Sequence, residues 1–291
     1  MKKFYLILIS MFIFLTGCSE NKNTISLALK PMTEQLIIGS MFKQMIENNS
    51  NIKVDITEGV GGGTLNIHPA LVKGDFDIYP EYTGTSWSTV LKEEGIYTEE
   101  NFNVLKEKYK DIGLLWEGKL GFNNTFGIAV RSEIADKYDI ETFSDLEKLN
   151  GELVFGGEYD FFERDDGYNL LCETYNLEFK NTMDLDIGLK YDAILKGEVD
   201  VINIFTTDGR LADENFTVLD DDLNLYPSYM CCFIIRDEVY EKYPEVQSVL
   251  NILENCINEE EMANLNNKVE VLGMDYDDVA KEFLISKALI N

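Results

Sequence analysis

Apolar positions recur along the chain in two rhythms, alternating in short runs and helix-spaced in longer ones. Residues 25–29 predict a first strand. From 33 to 48, Leu36, Ile37, Met41, Met45 and Ile46 fall at helical spacing and predict a long amphipathic helix. Residues 52–57 alternate as a second strand. Gly59, Gly61, Gly62 and Gly63 then predict a loop before the helix that carries His68. Phe76 and Ile78 mark a short strand expected to stop at Pro80, with Tyr82 beyond its end and a helix starting near Thr85. Residues 101–111 and 144–150 read as helices, 128–130 and 153–155 as strands, and 156–168 as a loop dense in charge and rings. Further strands are expected at 199–205, from 218 and at 230–235, and the tail reads as helices over 244–253, 259–269 and 277–289. Strands alternating with helices throughout put the chain in the α/β class.

One pattern occurs twice. Residues 70–78 read ALVKGDFDI and residues 193–201 read AILKGEVDV. Each is a helix tail, a Lys-Gly stop, an acidic residue and an apolar-Asp-apolar strand. Tyr82 follows Gly74 at the same distance as Phe205 follows Gly197, and each aromatic precedes a threonine, Thr83 and Thr206. A common helix-to-strand connection explains part of this. The sharper reading is two similar lobes presenting aromatics across a cleft, since open α/β sheets bind ligands outside the carboxyl ends of their strands.

The chain has 291 residues, enough for two domains, and a formal net charge of -28. That charge argues against nucleic acid, whose binding needs a basic face, and against a peripheral site on anionic lipid. The N-terminus opens Met1-Lys2-Lys3, runs apolar over 4–15 and ends Leu15-Thr16-Gly17-Cys18. A basic start with a short apolar core reads as a secretory signal rather than a spanning helix. Its ending resembles a bacterial lipobox, which implies cleavage before Cys18 and lipid on its sulfur. Residues 1–17 are then a signal peptide and 18–24 a lipidated tether holding the protein at the outer face of the cytoplasmic membrane.

Other chemistries fit poorly. Gly59 to Gly63 after a strand invites a dinucleotide reading, but Thr64 stands where the third glycine belongs. Asp220, Asp222 and Asn224 alternate like calcium ligands, yet Leu225 and Cys231 stand where an EF-hand needs Gly and Glu. A single histidine and no CxxC give no zinc set, so no cofactor is expected. Cys231 and Cys232 lie in an apolar run and read as core residues. The competing enzymatic reading takes carboxylates among Glu158, Asp160 and Glu163 as a glycoside hydrolase pair; Arg164 and Asp165 beside them look like a salt-bridged loop. A structural or adhesive lipoprotein is a third, weaker reading.

The mature chain resembles the substrate-binding lipoproteins of ABC importers for glycine betaine, choline and carnitine. The resemblance rests on Lys30-Pro31-Met32-Thr33-Glu34-Gln35, the run from Asp77 to Thr85, Phe122 to Phe126, Arg164 to Tyr168 and Thr206 to Arg210. It implies a two-lobed periplasmic-binding-protein (Venus-flytrap) fold with two chain crossings, near 120–126 and 224–230. Lobe 1 would comprise 25–122 and 228–291, and lobe 2 123–227. It implies an aromatic cage for a quaternary ammonium at Tyr82, Phe126, Phe205 and Tyr229. The family commonly has Tyr at the positions of Phe126 and Phe205, which leaves a different betaine-like ligand such as ergothioneine as an alternative. The matched polar positions are Lys30, Gln35, Thr85 and Arg164, a basic pair and a hydroxyl suited to a ligand carboxylate. The implied partners are a membrane permease and its ATPase.

Overall fold

The computed structural model of the chain describes residues 23–211, 215–226 and 228–290; the expected signal peptide, Cys18 and most of the expected tether lie outside the described residues. Two five-stranded sheets with the same internal order organise it. In the first, β1 (Thr24–Ala28) pairs in parallel with β2 (Lys53–Thr57) and β3 (Ile78–Tyr82), and β3 pairs antiparallel with β10 (Cys231–Arg236), which pairs with β4 (Leu114–Glu117). In the second, β6 (Val154–Gly157) pairs in parallel with β7 (Asn181–Asp184) and β8 (Val201–Phe205), β8 pairs antiparallel with β5 (Phe126–Arg131), and β5 with β9 (Phe216–Leu219). The chain passes from the first sheet to the second between β4 and β5 and returns between β9 and β10. The two passing segments touch, through an antiparallel bridge between Asn123 and Met230.

The repeated sequence falls on the two equivalent central strands, β3 and β8. Gly74 and Gly197, the stops before them, have φ of +85° and +71°, a left-handed turn that glycine adopts without steric cost. The long helix α1 (Thr33–Asn49) buries Ile37, Ile38, Met41, Phe42, Met45 and Ile46. The C-terminal helices Pro244–Leu253, Glu259–Glu270 and Tyr276–Ser286 return to pack on it. Capping fixes two of their starts. Asn258 accepts from the Glu261 amide while the Glu261 side chain accepts from the Asn258 amide, and Asp275 accepts from the amides of Asp277 and Asp278.

Three local expectations need correction. The strand that was to stop at Pro80 runs through it to Tyr82. Pro80 faces Phe233, and β1 registers with β3 only at Leu27–Ile78. A proline two residues past that pair deprives β1 of no ladder bond. The loop at 156–168 contains the short helix Tyr159–Glu163, and 144–150 forms a 3-10 turn over Ser144–Leu149. Strand β7, sequence NTMD, has no apolar alternation because it is an exposed edge with only Met183 partly buried.

Candidate functional site

The two lobes supply aromatics in matching ways. Tyr82 is the last residue of β3 and Phe205 the last of β8. The strand returning beside each gives the second ring: Phe126 opens β5 opposite Phe205, and Tyr229 sits just before Cys231, the partner of Tyr82. All four line one cleft. Phe126 lies 5.2 Å from Phe205 and 6.0 Å from Tyr229 between ring centroids, at interplanar angles of 30° and 64°. Tyr82, Phe126 and Tyr229 are only 5%, 6% and 7% exposed.

Tyr229 owes its place to Gly84. A Cβ there would stand 2.7 Å from the Ser228 carbonyl oxygen and 2.7 Å from the Tyr229 ring. Gly84→Ala should therefore destabilise the protein by about 1–3 kcal/mol through overpacking and shift Tyr229; thermal unfolding checks the first effect and ligand titration the second.

Three of the rings have a protein cation against one face. The Lys30 ammonium lies 4.9 Å from the Tyr82 centroid, the Arg164 guanidinium 5.0 Å from Phe126, and the Lys190 ammonium 5.1 Å from Phe205. Each is matched by its own carboxylate. Lys30 donates to Glu81 at 2.5 Å and Lys190 to Glu158 at 3.1 Å. Arg164 grips Asp166 through Nε at 2.7 Å and Nη2 at 2.6 Å. Burial works against both charges of that last pair, yet their attraction wins: the Asp166 carboxyl titrates below its usual range and the Arg164 guanidinium above its own. The ion pair expected between Arg164 and Asp165 is thus made one residue on. The side chain of Asp166 is the one buried here, at 7% exposure.

The expected polar set divides. Thr85 lines the cleft and accepts from Arg164 Nη2 at 3.2 Å. Nη1 is the guanidinium nitrogen without a hydrogen bond among the described residues. Lys30 lines the cleft with its ammonium committed to Glu81. Gln35 is fully buried behind Tyr82, donating to its hydroxyl at 3.2 Å. Of the carboxylates in the enzymatic reading, Asp160 and Glu163 line the cleft and are exposed. Glu158 is buried against Lys190 and Asn203, so the three do not converge. His68 is packed on Tyr109 and Tyr79, and burial lowers its pKa.

Sequence reasoning missed Glu34. It is 2% exposed and accepts from the Tyr82 hydroxyl, from Asn124 Nδ2 at 2.8 Å and from the Thr207 hydroxyl at 2.5 Å. The only signal was its place in the Lys30-to-Gln35 motif; an acid in a helix's first turn ordinarily reads as a partner of the helix dipole. Burial raises its pKa, and the bonds from Thr207, Tyr82 and Asn124 oppose that without cancelling it. A carboxyl raised in the folded state contributes stability below its ordinary value of 4.5, lost as pH rises through the folded value. Glu34→Gln should flatten that decline above pH 4.5 relative to the parent, as read from unfolding midpoints across pH.

Glu34 and Asp166 also tie the lobes together on two sides of the cleft. Thr207, following β8, bonds Glu34 of α1. Asp166, from the β6 side, accepts from Ser88 at 2.8 Å and from the Tyr229 hydroxyl at 2.7 Å.

Comparison with known proteins bears on this cleft. The profile of one family, the substrate binding domain of ABC-type glycine betaine transport systems, matches residues 23–286. The ergothioneine transport permease/ergothioneine binding protein EgtU of Helicobacter pylori strain G27 is 42% identical over 258 residues, covering 88% of this chain and 46% of that protein. The chain thus spans about half of that longer relative. The carnitine transport binding protein OpuCC of Listeria monocytogenes is 33% identical over 291 residues, covering 97% of this chain and 94% of that protein. A crystal structure described as that of a glycine betaine/carnitine/choline ABC transporter superimposes with a TM-score of 0.75 at 30% identity, over 92% of this chain and 100% of that one.

Proposed function

The chain belongs to the family of substrate-binding domains of ABC-type glycine betaine transport systems, and on that premise we propose that its cleft captures a carboxylated quaternary ammonium compound, glycine betaine or carnitine ahead of choline. The observation that carries this reading is four rings from two lobes on one cleft, with each nearby cation matched by a carboxylate. A quaternary ammonium cannot donate strong hydrogen bonds. It is drawn to ring faces by about 0.5–2 kcal/mol each when desolvated. Lys30, Arg164 and Lys190 are each matched by a carboxylate, so none of the three leaves an uncompensated positive charge to repel a permanent cation. Arg164 Nη1 and the Thr85 hydroxyl are the groups for the ligand carboxylate, and Lys30 acts chiefly by holding Glu81.

Both lobes touch the ligand in this arrangement, so its contacts exist only when the lobes are together, and binding favours closure. The loaded protein is then offered to a membrane permease powered by a cytoplasmic ATPase. A second reading, ergothioneine as ligand, draws support from the 42% identity to the Helicobacter pylori protein; that compound carries the same ammonium and carboxylate. Attachment through lipid on Cys18 follows from the sequence that precedes it. Cys18→Ser should shift the protein from the membrane fraction to the medium, and continued membrane retention of that variant would remove the anchor from the account.

The test of ligand class is calorimetric titration of the protein lacking residues 1–17 with glycine betaine, carnitine, choline, proline betaine and ergothioneine. Binding of carboxylated ammoniums with choline weaker supports the proposal. Choline binding as tightly as the rest removes the role of Arg164, and silence across the panel removes the cage.

A further inference from the structure

The lobes meet beyond Phe205 as well as around the rings. The segment that follows β8, Thr207-Asp208-Gly209, docks on α1 and on the helix Glu259–Glu270 of the other lobe. The Thr207 hydroxyl donates to Glu34 at 2.5 Å, and the Thr207 carbonyl accepts from Asn266 Nδ2 at 2.7 Å. The Gly209 amide donates to Glu270 at 3.2 Å, and the Gly209 carbonyl accepts from Asn267 Nδ2 at 2.7 Å. The approach is close enough that a Cβ on Gly209 would stand 2.4 Å from the Asn267 nitrogen.

This docking sets carboxylates of both lobes around one space, Asp208 from the second lobe with Glu34 and Glu270 from the first. Asp208 is half-buried and accepts from the Phe205 amide at 2.9 Å and from the Tyr191 hydroxyl. Glu34 is enclosed by Tyr82, Asn124 and Thr207. Glu270 stands exposed at the rim, with its carboxylate on the Gly209 amide and beside Thr33. The cations nearby have other partners. Lys190 faces Asp208 but bonds Glu158, which adds a further negative charge, and Arg210 bonds Asp192 at 3.0 Å. Burial keeps Tyr82, Tyr191 and Cys231, the neighbouring acids of other elements, protonated. Removal from water lifts all three carboxyls above their ordinary values of 4.5 and 3.8, and the Asp208 charge adds to the rise at Glu34 and Glu270, the last reaching about 6. Separating the lobes takes Asp208 from the other two and lets water back to them.

We propose that closure takes up protons at this interlobe contact, so that ligand capture is linked to pH through Glu34, Asp208 and Glu270. Ligand and protons favour the same closed state, and each tightens the hold of the other. A carboxyl raised on closing favours the closed state fully below its ordinary value and loses that contribution as pH rises through its closed value, about 6 for Glu270. Affinity therefore falls from mildly acidic to neutral pH. The inference rests on the two-lobed capture proposed above.

The experiment titrates the protein lacking residues 1–17 with glycine betaine, carnitine and ergothioneine, whose carboxylates stay ionised throughout, at about pH 6.5 in phosphate and in ACES. Proton uptake makes the binding heat less exothermic in ACES, the buffer that absorbs more heat on releasing a proton. Affinity for whichever compound binds is expected to fall by roughly threefold or more between about pH 5 and about pH 7.5. Glu270→Gln keeps an acceptor for the Gly209 amide without the charge. It should reduce the uptake and raise affinity at about pH 7.5 towards the value at about pH 5, a gain that loss of a merely structural contact would not give. Equal heats in the two buffers, with binding intact, overturn the coupling and leave the capture reading standing. Uptake left unchanged by Glu270→Gln combined with Asp208→Asn does the same. Silence from all three compounds overturns the capture reading and the coupling with it.

Discussion

Arg164→Ala is expected to lower affinity for carboxylated quaternary ammonium ligands by on the order of 100-fold and to destabilise the ligand-free protein by about 3–5 kcal/mol. Both effects come from Asp166. That carboxylate is buried and takes two bonds from Arg164, one from Ser88 and one from Tyr229. Removing the guanidinium leaves a buried charge without its cation, in contact with one ring of the cleft. It also removes the Phe126 face contact and the link to Thr85. Arg164→Lys should recover little of either loss, because a single ammonium cannot make the two parallel bonds to Asp166. Chemical unfolding reads the stability and calorimetry the affinity. A folded Arg164→Ala protein with unaltered affinity would take Arg164 out of the site.

The second large effect is expected at Tyr82. Tyr82→Ala removes one wall of the proposed cage and should weaken binding by roughly tenfold or more, the sum of lost cation–π attraction and packing. Stability should fall as well, by about 3–5 kcal/mol, as for other large-to-small core changes. Tyr82→Phe separates the two contributions. It keeps the ring face while withdrawing the hydroxyl that donates to Glu34 and accepts from Gln35. The expected result is near-parental affinity with reduced stability, since a buried carboxylate loses one donor. If Tyr82→Phe instead loses as much affinity as Tyr82→Ala, the hydroxyl rather than the ring face is what the ligand uses.

Much of the fold was legible because its central strands are buried and its helices carry regular apolar stripes. The repeated Lys-Gly stop marked β3 and β8 as equivalent, and that equivalence explains the rings in pairs. The edge strand β7 was invisible because an exposed edge needs no apolar pattern. Pro80 misled because a proline's cost depends on which neighbour would have received its N–H, and pairing register is not written locally. The repeat pointed to Tyr82 and Phe205, while Phe126, Tyr229 and the cage role of all four came from family resemblance, since an aromatic after a strand looks the same in a core and in a cage. The polar side of the site was less legible still. The partners of Lys30, Arg164 and Lys190 lie from 2 to 51 residues away. Glu34 becomes conspicuous only once Tyr82, Asn124 and Thr207 are seen closing around it. Asp166 rather than Asp165 was chosen by burial, which neighbouring acids in a charged loop do not reveal.

The central claim is that ring faces in this cleft hold a permanent positive charge. Calorimetric titration with glycine betaine and with 3,3-dimethylbutyrate tests it most directly. The two have the same shape and the same carboxylate, and differ in whether nitrogen or carbon bears the three methyl groups. The account predicts that glycine betaine binds at least roughly tenfold more tightly, because the rings reward charge beyond apolar contact. Equal affinity for the two compounds would contradict it, leaving a cleft that selects for shape and carboxylate alone.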